Sequence, residues 1–207
     1  MAHLLRSGLG IRGHGRACSG YGRHVWFSRY VGALIAACIA AAAFVVPALA
    51  QNHAPDVLFI EDSAGNTLAK LTPQSVQEQF AMQLISTRTP WSSGKVLSYR
   101  GPFLKDILVK YKIHDATAIT VSAYNDFRSN ISMQEIDEYD PILAIQIGCT
   151  AQEYERKVCP EGETYRPLTL DDYGPFFVAW DITKIPANYV PSRNAIWVWF
   201  AVRMRPL

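Results

Sequence analysis

The chain has 207 residues, of which 49% are hydrophobic, and it carries 20 Lys and Arg against 18 Asp and Glu. Five of the basic residues and none of the acidic ones lie at positions 1–50, so the rest of the chain holds 15 basic and 18 acidic residues. This slightly acidic remainder has no basic stripe, which excludes electrostatic binding of nucleic acid. It is long enough for one domain with its own core.

An export signal is predicted at residues 1–50. The stretch at 31–50 is apolar and uncharged, follows isolated arginines and ends in Ala48-Leu49-Ala50. This order is typical of a signal peptide that is cleaved after its last small residue. A retained membrane anchor is the alternative because the run is close to spanning length, but its alanine-rich content and Pro47 favour cleavage. We therefore expect a periplasmic or secreted domain at 51–207, with no membrane contact after cleavage.

Periodicity in this remainder predicts short strands interrupted by short helices. A turn containing Gly65 separates the first two strands as a hairpin, and Pro102 opens a helix whose apolar residues share one face. Alternating apolar side chains predict the last strand. Strands are expected at 57–61, 67–71, 80–87, 95–99, 117–123, 129–133, 142–147, 176–180 and 195–205, and helices at 72–78, 102–111 and 134–139. The fold class is therefore α+β with a mixed or mainly antiparallel sheet.

Two cysteines, Cys149 and Cys159, follow the predicted signal and lie ten residues apart in a long polar loop at 148–174. In an exported domain this pair is predicted to form a disulfide, which would contribute about 2–3 kcal/mol by closing so short a loop. A redox-active pair is the alternative. No metal site is expected, because His53 and His114 are the only histidines in this part of the chain and neither lies near the cysteines in sequence.

Standard catalytic signatures are missing from the sequence, which has no G-x-S-x-G, H-E-x-x-H, phosphate-binding glycine loop or C-x-x-C. No catalytic residue is therefore predicted. Three turns of unusual composition lie at strand ends instead, at 91–94, 100–104 and 123–127. Because such loops carry most ligand sites, these turns are the candidate binding region. Each taken alone also fits core packing, a helix start or a local turn motif.

Several segments taken in order resemble a known family. They read TPWSSGKVLSYRGPFLKDIL at 89–108, VSAYNDF at 121–127, PILA at 141–144, YGPFFV at 173–178 and SRNAIWVW at 192–199. The chain resembles the oxidoreductase molybdopterin-binding domain of the sulfite-oxidase superfamily over nearly all of 57–207. The resemblance implies a sulfite-oxidase-like fold with molybdopterin in a cleft at one end of the sheet. The cofactor-binding residues that it implies are Thr87, Arg88, Trp91, Arg100, Tyr124, Asn125 and Asp126.

The metal-binding cysteine of this family pattern is absent. Catalytic members hold molybdenum with a cysteine before the W-x-x-G turn, whereas the stretch at 84–90 has none and places Ser86 or Thr87 nearest. A hydroxyl is a poor substitute for a thiolate at this metal. The signal also lacks the Arg-Arg pair that exports folded molybdenum proteins, so the general route is expected. Two functions remain: a molybdopterin-binding, oxidoreductase-like domain that lacks the metal-binding cysteine, with or without catalysis, or a cofactor-free binding module for a small anionic ligand or a partner peptide.

Overall fold

The computed structural model describes residues 55–189 and 193–207, and the predicted signal peptide lies outside these ranges. The strands are β1 (Leu58–Glu61), β2 (Thr67–Leu71), β3 (Gln83–Thr87), β4 (Leu97–Gly101), β5 (Ala118–Ala123), β6 (Arg128–Ser132), β7 (Ile142–Ala144), β8 (Gln146–Gly148), β9 (Tyr165–Pro167), β10 (Phe177–Ala179) and β11 (Ala201–Pro206). The α-helices are α1 (Pro73–Gln79), α2 (Leu104–Lys110), α3 (Met133–Tyr139) and α4 (Ala151–Glu155). Short 3₁₀ helices lie at Leu170–Asp172 and Asn194–Ile196. None of the helices in the described ranges has the length and apolar character needed to cross a membrane.

The largest sheet has five strands in the order β2-β1-β11-β5-β6. β1 and β11 run parallel, and every other neighbouring pair in this sheet runs antiparallel. Alternation along β5 buries Ile119, Val121 and Ala123 and leaves the residues between them partly exposed, as expected for a sheet with one face on the core. Each fully buried Ile or Val side chain contributes roughly 1.5–3 kcal/mol.

A four-stranded antiparallel sheet has the order β3-β4-β8-β9, and β7 pairs with β10 in a two-stranded sheet. Only Ile145 separates β7 from β8, so the chain passes directly from one sheet to the other. The Ile145 amide donates to the Arg100 carbonyl at 3.0 Å. Gly101 is required where β4 meets this crossing, because a Cβ atom there would overlap the Leu143 carbonyl group.

Helices α2 and α3 complete the core. Leu104, Ile107 and Leu108 lie at the i, i+3 and i+4 positions of α2 and are fully buried. Helix α3 begins at a capping box in which the Ser132 hydroxyl accepts from the Glu135 amide at 3.1 Å and the Glu135 carboxylate accepts from the Ser132 amide at 2.7 Å. Such a cap contributes about 1 kcal/mol, so α3 starts at a position that the sequence sets locally.

The predicted α+β class with mainly antiparallel pairing is confirmed, as is the β1–β2 hairpin. The predicted last strand is wrong in its first half, because Asn194–Ile196 is a 3₁₀ helix and β11 begins only at Ala201. Phe200 precedes β11 with φ 52°, a left-handed conformation that a regular strand does not contain. The aromatic alternation before it therefore reflects packing on two sides of an irregular segment.

The predicted loop at 148–174 contains ordered structure, namely α4, β9 and the first 3₁₀ helix. Thr150 starts α4 through a second capping box with Glu153, and β9 adds to the edge of the four-stranded sheet beside β8. The prediction missed these elements because each is only three to five residues long. The segment at 148–174 is therefore a folded part of the domain rather than an irregular loop.

Candidate functional site

A cleft of about 510 Å³ lies where the β3–β4 turn, the β5–β6 turn and the segments before β10 and β11 meet. Six aromatic residues line it: Trp91, Phe127, Tyr173, Trp197, Trp199 and Phe200. Asn125, Leu170, Asn194 and Ala195 complete the described lining. We call this feature the aromatic cleft. None of its described lining residues carries a charge.

The β5–β6 turn presents Asn125 and Phe127 to the aromatic cleft. Asp126 has φ 64°, and the Phe127 carbonyl accepts from the Ala123 amide at 2.8 Å, which closes the turn tightly. The Asn125 side chain accepts from the Phe127 amide at 3.3 Å, so it both lines the cleft and fixes the turn. The Tyr124 amide donates to the Phe200 carbonyl at 2.9 Å and joins this turn to the segment before β11.

Ring contacts connect three walls of the aromatic cleft. The Trp199 ring lies 4.2 Å from the Trp91 ring and 4.1 Å from the Tyr173 ring, measured between centroids. Each such pair contributes about 0.5–1.5 kcal/mol beyond the burial of its area. Trp91 remains 42% exposed, so the cluster keeps open aromatic surface. A flat ligand would therefore find ring surface that is already oriented by neighbouring rings.

Two lining residues have a left-handed backbone. Tyr173 has φ 68° and Phe200 has φ 52°, and the Phe200 amide donates to the Tyr173 carbonyl at 2.9 Å. This conformation costs roughly 1–2 kcal/mol for a residue with a Cβ atom. Tyr173 is the left-handed C-cap of the 3₁₀ helix at Leu170–Asp172, and its hydrogen bond with Phe200 joins two walls of the cleft.

Two polar atoms of lining residues lack hydrogen-bond partners among the described residues. They are Trp197 Nε1 and Asn194 Oδ1, and both are shielded from bulk water. The Trp197 residue as a whole is only 1% exposed. Most buried polar groups in native proteins are paired, so a buried donor and a buried acceptor left free beside one cleft require an explanation.

The structure brings together two of the seven residues that the resemblance implied, Trp91 and Asn125. The neighbours of Asn125 in the β5–β6 turn, Tyr124 and Asp126, are exposed but do not line the aromatic cleft; Tyr124 is 50% exposed. Trp91 and Asn125 therefore line the aromatic cleft, and Tyr124 and Asp126 lie beside it in the β5–β6 turn.

The other three implied residues lie elsewhere. Thr87 is buried, and its hydroxyl accepts from the Ile182 amide at 3.1 Å. Arg88 is exposed and does not line the cleft. Arg100 alternates with the buried Tyr99 along β4 and lies on the opposite face of that strand, where it contacts the Gln146 side chain and the Tyr165 ring.

Phe127 lies in the candidate turn at 123–127, but the remaining lining residues were not predicted as site residues. Leu170 and Tyr173 come from the segment predicted as a loop, whose unusual length was the signal available for them. Trp197, Trp199 and Phe200 were assigned to a strand on their alternation. The density of large aromatic side chains just before β11 was a signal for a ring-binding surface, although such side chains are more often part of a core.

The predicted disulfide between Cys149 and Cys159 is present, with a Cα–Cα distance of 6.0 Å. It closes a loop around α4, and the Val158 amide donates to the Glu153 carbonyl at 2.9 Å inside that loop. Cys159 is buried. The disulfide therefore fixes the end of α4 that carries the buried Glu153 side chain.

Arg166 links Glu153 to the wall of the aromatic cleft. Its Nε donates to Glu153 Oε1 at 2.8 Å and its Nη2 donates to Asp172 Oδ1 at 2.9 Å. Burial by itself would raise the pKa of Glu153, but hydrogen bonds from Thr150 and Arg166 outweigh it and leave that pKa lowered. Burial would also raise the pKa of Asp172, but hydrogen bonds from Arg166 and Thr169 outweigh it and leave that pKa lowered. This network fixes the 3₁₀ helix whose ends reach the cleft.

The chain matches no protein-family model and no curated protein. Within the described ranges, no group of three or more His, Cys, Asp or Glu side chains is arranged to hold a metal ion.

Proposed function

We propose that this chain is an exported, non-catalytic binding module whose aromatic cleft holds a small, flat, uncharged ring. The observation that carries the proposal is the lining: six aromatic side chains surround about 510 Å³, and no described lining residue is charged. That volume lies within the range of small-molecule sites. Aromatic faces and edges bind flat rings by stacking and edge contacts, without a need for charge.

The unpaired atoms at the cleft support the same proposal. A ring with a polar edge that reached these two atoms would accept a hydrogen bond from Trp197 Nε1 and donate one to Asn194 Oδ1. Leaving both atoms unpaired costs about 1–3 kcal/mol each. Pairing them would add to the affinity for a ligand with one donor and one acceptor at its edge.

The resemblance would instead assign a sulfite-oxidase-like fold and molybdopterin to this domain, and that assignment stays a proposal. The residues of this chain do not fit molybdopterin with a bound molybdenum. The hydroxyls of Ser86 and Thr87 already bond to Ser98 and to a backbone amide, and neither residue is a thiolate. Arg88 and Arg100 do not line the cleft, so no described lining residue would meet the cofactor phosphate. An anionic ligand is disfavoured for the same reason.

A titration with 2-phenylethanol tests the proposed function. Four tryptophans follow residue 50, and their indole N–H signals are resolved by two-dimensional ¹⁵N–¹H NMR. We expect saturable shifts of the Trp91 and Trp199 signals. The Trp180 signal serves as an internal reference, because that indole is fully buried and donates to the Ile196 carbonyl at 2.8 Å.

Two variants sharpen this titration. Trp199→Ala removes the central ring of the cluster and is expected to weaken binding about tenfold. Arg88→Ala is the matched control and should leave the affinity for 2-phenylethanol unchanged, because Arg88 does not line the cleft. Absence of any saturable shift refutes the proposed function. Stoichiometric molybdenum and pterin in protein purified from its native export compartment would refute it as well.

The proposal includes a location outside the cytoplasm. Its support is the predicted signal at 1–50 and a disulfide, which oxidising compartments permit. The mature protein is expected to begin at Gln51 and to contain no free thiol. Intact-mass analysis of the exported protein, with and without a thiol-alkylating reagent, checks both points.

A further inference from the structure

A second cavity of about 220 Å³ shares Tyr173 with the aromatic cleft. Its lining differs completely in chemistry, because it includes the charged side chains of Glu153, Arg166, Asp171 and Asp172. We call this feature the acidic pocket. Tyr173 is the residue that lines both cavities.

The charge of the acidic pocket is negative on balance. Three carboxylates face one guanidinium there, and Arg166 already binds Glu153 and Asp172. Asp171 forms no ion pair with any described residue and is exposed. An added cation in this pocket would therefore meet an uncompensated carboxylate, whereas an added anion would be repelled.

A buried phenol provides a second and independent sign of a ligand. Tyr99 lines the acidic pocket and is 1% exposed, and its hydroxyl forms no hydrogen bond with the residues that the structure describes. Burial raises the pKa of Tyr99 to about 12, and the charge of Asp172 acts in the same direction. The phenol therefore stays protonated, with its oxygen open to a donor from a ligand.

We propose that the two cavities form one composite site for an aromatic ring that carries a primary ammonium group. This inference rests on the proposed function, because the ring occupies the aromatic cleft. The ammonium group reaches past Tyr173 into the acidic pocket, where it donates to the Tyr99 hydroxyl and pairs with Asp171. The Tyr173 ring adds a cation–π contact along this path. A small arylalkyl amine has this chemistry.

Three probes of the same size class separate the two cavities: 2-phenylethylamine, 2-phenylethanol and 3-phenylpropanoate, which differ chiefly in charge. We expect the amine to bind about tenfold more tightly than the alcohol and the carboxylate to bind most weakly. The advantage of the amine is expected to shrink as the salt concentration rises, because Asp171 is exposed. Isothermal calorimetry gives the three affinities without interference from the absorbance of the probes.

Variants assign the effect to the acidic pocket. Asp171→Asn and Tyr99→Phe should each reduce the advantage of the amine over the alcohol about threefold or more. Asp126→Asn is the matched control, since this exposed carboxylate lies in the turn beside the aromatic cleft but outside the acidic pocket. Asp171→Asn alters an exposed side chain, so its result does not depend on the fold.

The outcomes distinguish this inference from the proposed function. Equal affinity for amine and alcohol, or tightest binding of the carboxylate, overturns the composite site and leaves the ring-binding cleft intact. An advantage of the amine that Asp126→Asn removes and Asp171→Asn does not overturns the assignment to the acidic pocket. Failure of all three probes to bind overturns both proposals together.

Discussion

Arg166 donates hydrogen bonds to two carboxylates that have little access to water. Replacing Arg166 with leucine would leave Glu153 and Asp172 buried without their cation. Removing one partner of a buried ion pair typically costs about 3–5 kcal/mol, because the remaining charge has lost its compensation. We expect a loss of this size in the free energy of unfolding, measured by urea denaturation followed by circular dichroism.

Arg156→Leu is the control for this change. Arg156 lies at the exposed end of α4, and its side chain makes only a long hydrogen bond to the Gln152 carbonyl. A surface substitution of this kind changes stability by about 0.5 kcal/mol or less. Equal effects of the two substitutions would show that Arg166 does not hold the network together.

At the level of elements, the loop closed by Cys149 and Cys159 supports a wall of the aromatic cleft through Glu153 and Arg166. The double variant Cys149→Ser with Cys159→Ser opens this loop. In the chain-entropy model so short a loop contributes about 2–3 kcal/mol, so the free energy of unfolding should fall by that amount. Urea denaturation of the variant and the oxidised protein measures the difference.

Treating the unaltered protein with a reductant provides an independent test of the stability that the disulfide contributes. Dithiothreitol should lower the stability of the unaltered protein to that of the double variant and leave the variant unaffected. An oxidised protein no more stable than the variant would contradict the prediction. A pair that is reduced by mild thiols under native conditions would instead favour the redox-active alternative.

Most elements were predictable from the sequence because their signals are local. The β1–β2 hairpin follows from Gly65 between two alternating runs, and α3 starts where Ser132 and Glu135 form a capping box. The disulfide was predictable in the same way, from the spacing of the two cysteines together with the predicted export signal.

The site was predictable only in part, because its walls meet through tertiary contacts. Trp91 and Asn125 belong to turns that the sequence marked, but nothing local brings Tyr173 against Trp199. Arg100 shows the converse case. Side chains alternate between the two faces of a strand, so Arg100 lies on the face of β4 opposite the buried Tyr99, whereas the resemblance assigned Arg100 to the cleft.

Across the described part of the molecule, four carboxyl groups are stabilised in their charged form. The Lys105 ammonium beside Asp140 lowers the pKa of that carboxyl group despite partial burial, and Asn66 lowers the pKa of Asp62 on the surface. Glu153 and Asp172 have lowered pKa values for the reasons given above. A group whose pKa is lower in the folded state stabilises the fold at pH values above its unfolded pKa. That contribution disappears as the pH falls through the folded pKa.

The domain should therefore lose stability in acid. The ordinary pKa values of these groups are 3.8 for Asp and 4.5 for Glu, so the free energy of unfolding should hold steady above about pH 5 and decline below it. We expect a fall of roughly 1–3 kcal/mol between pH 7 and pH 3, measured from urea denaturation at fixed ionic strength. Arg166→Leu should show a shallower decline, because protonation then relieves two unpaired buried charges. An unfolding free energy that stays constant down to pH 3 would mean that these carboxylates gain nothing from their partners in the fold.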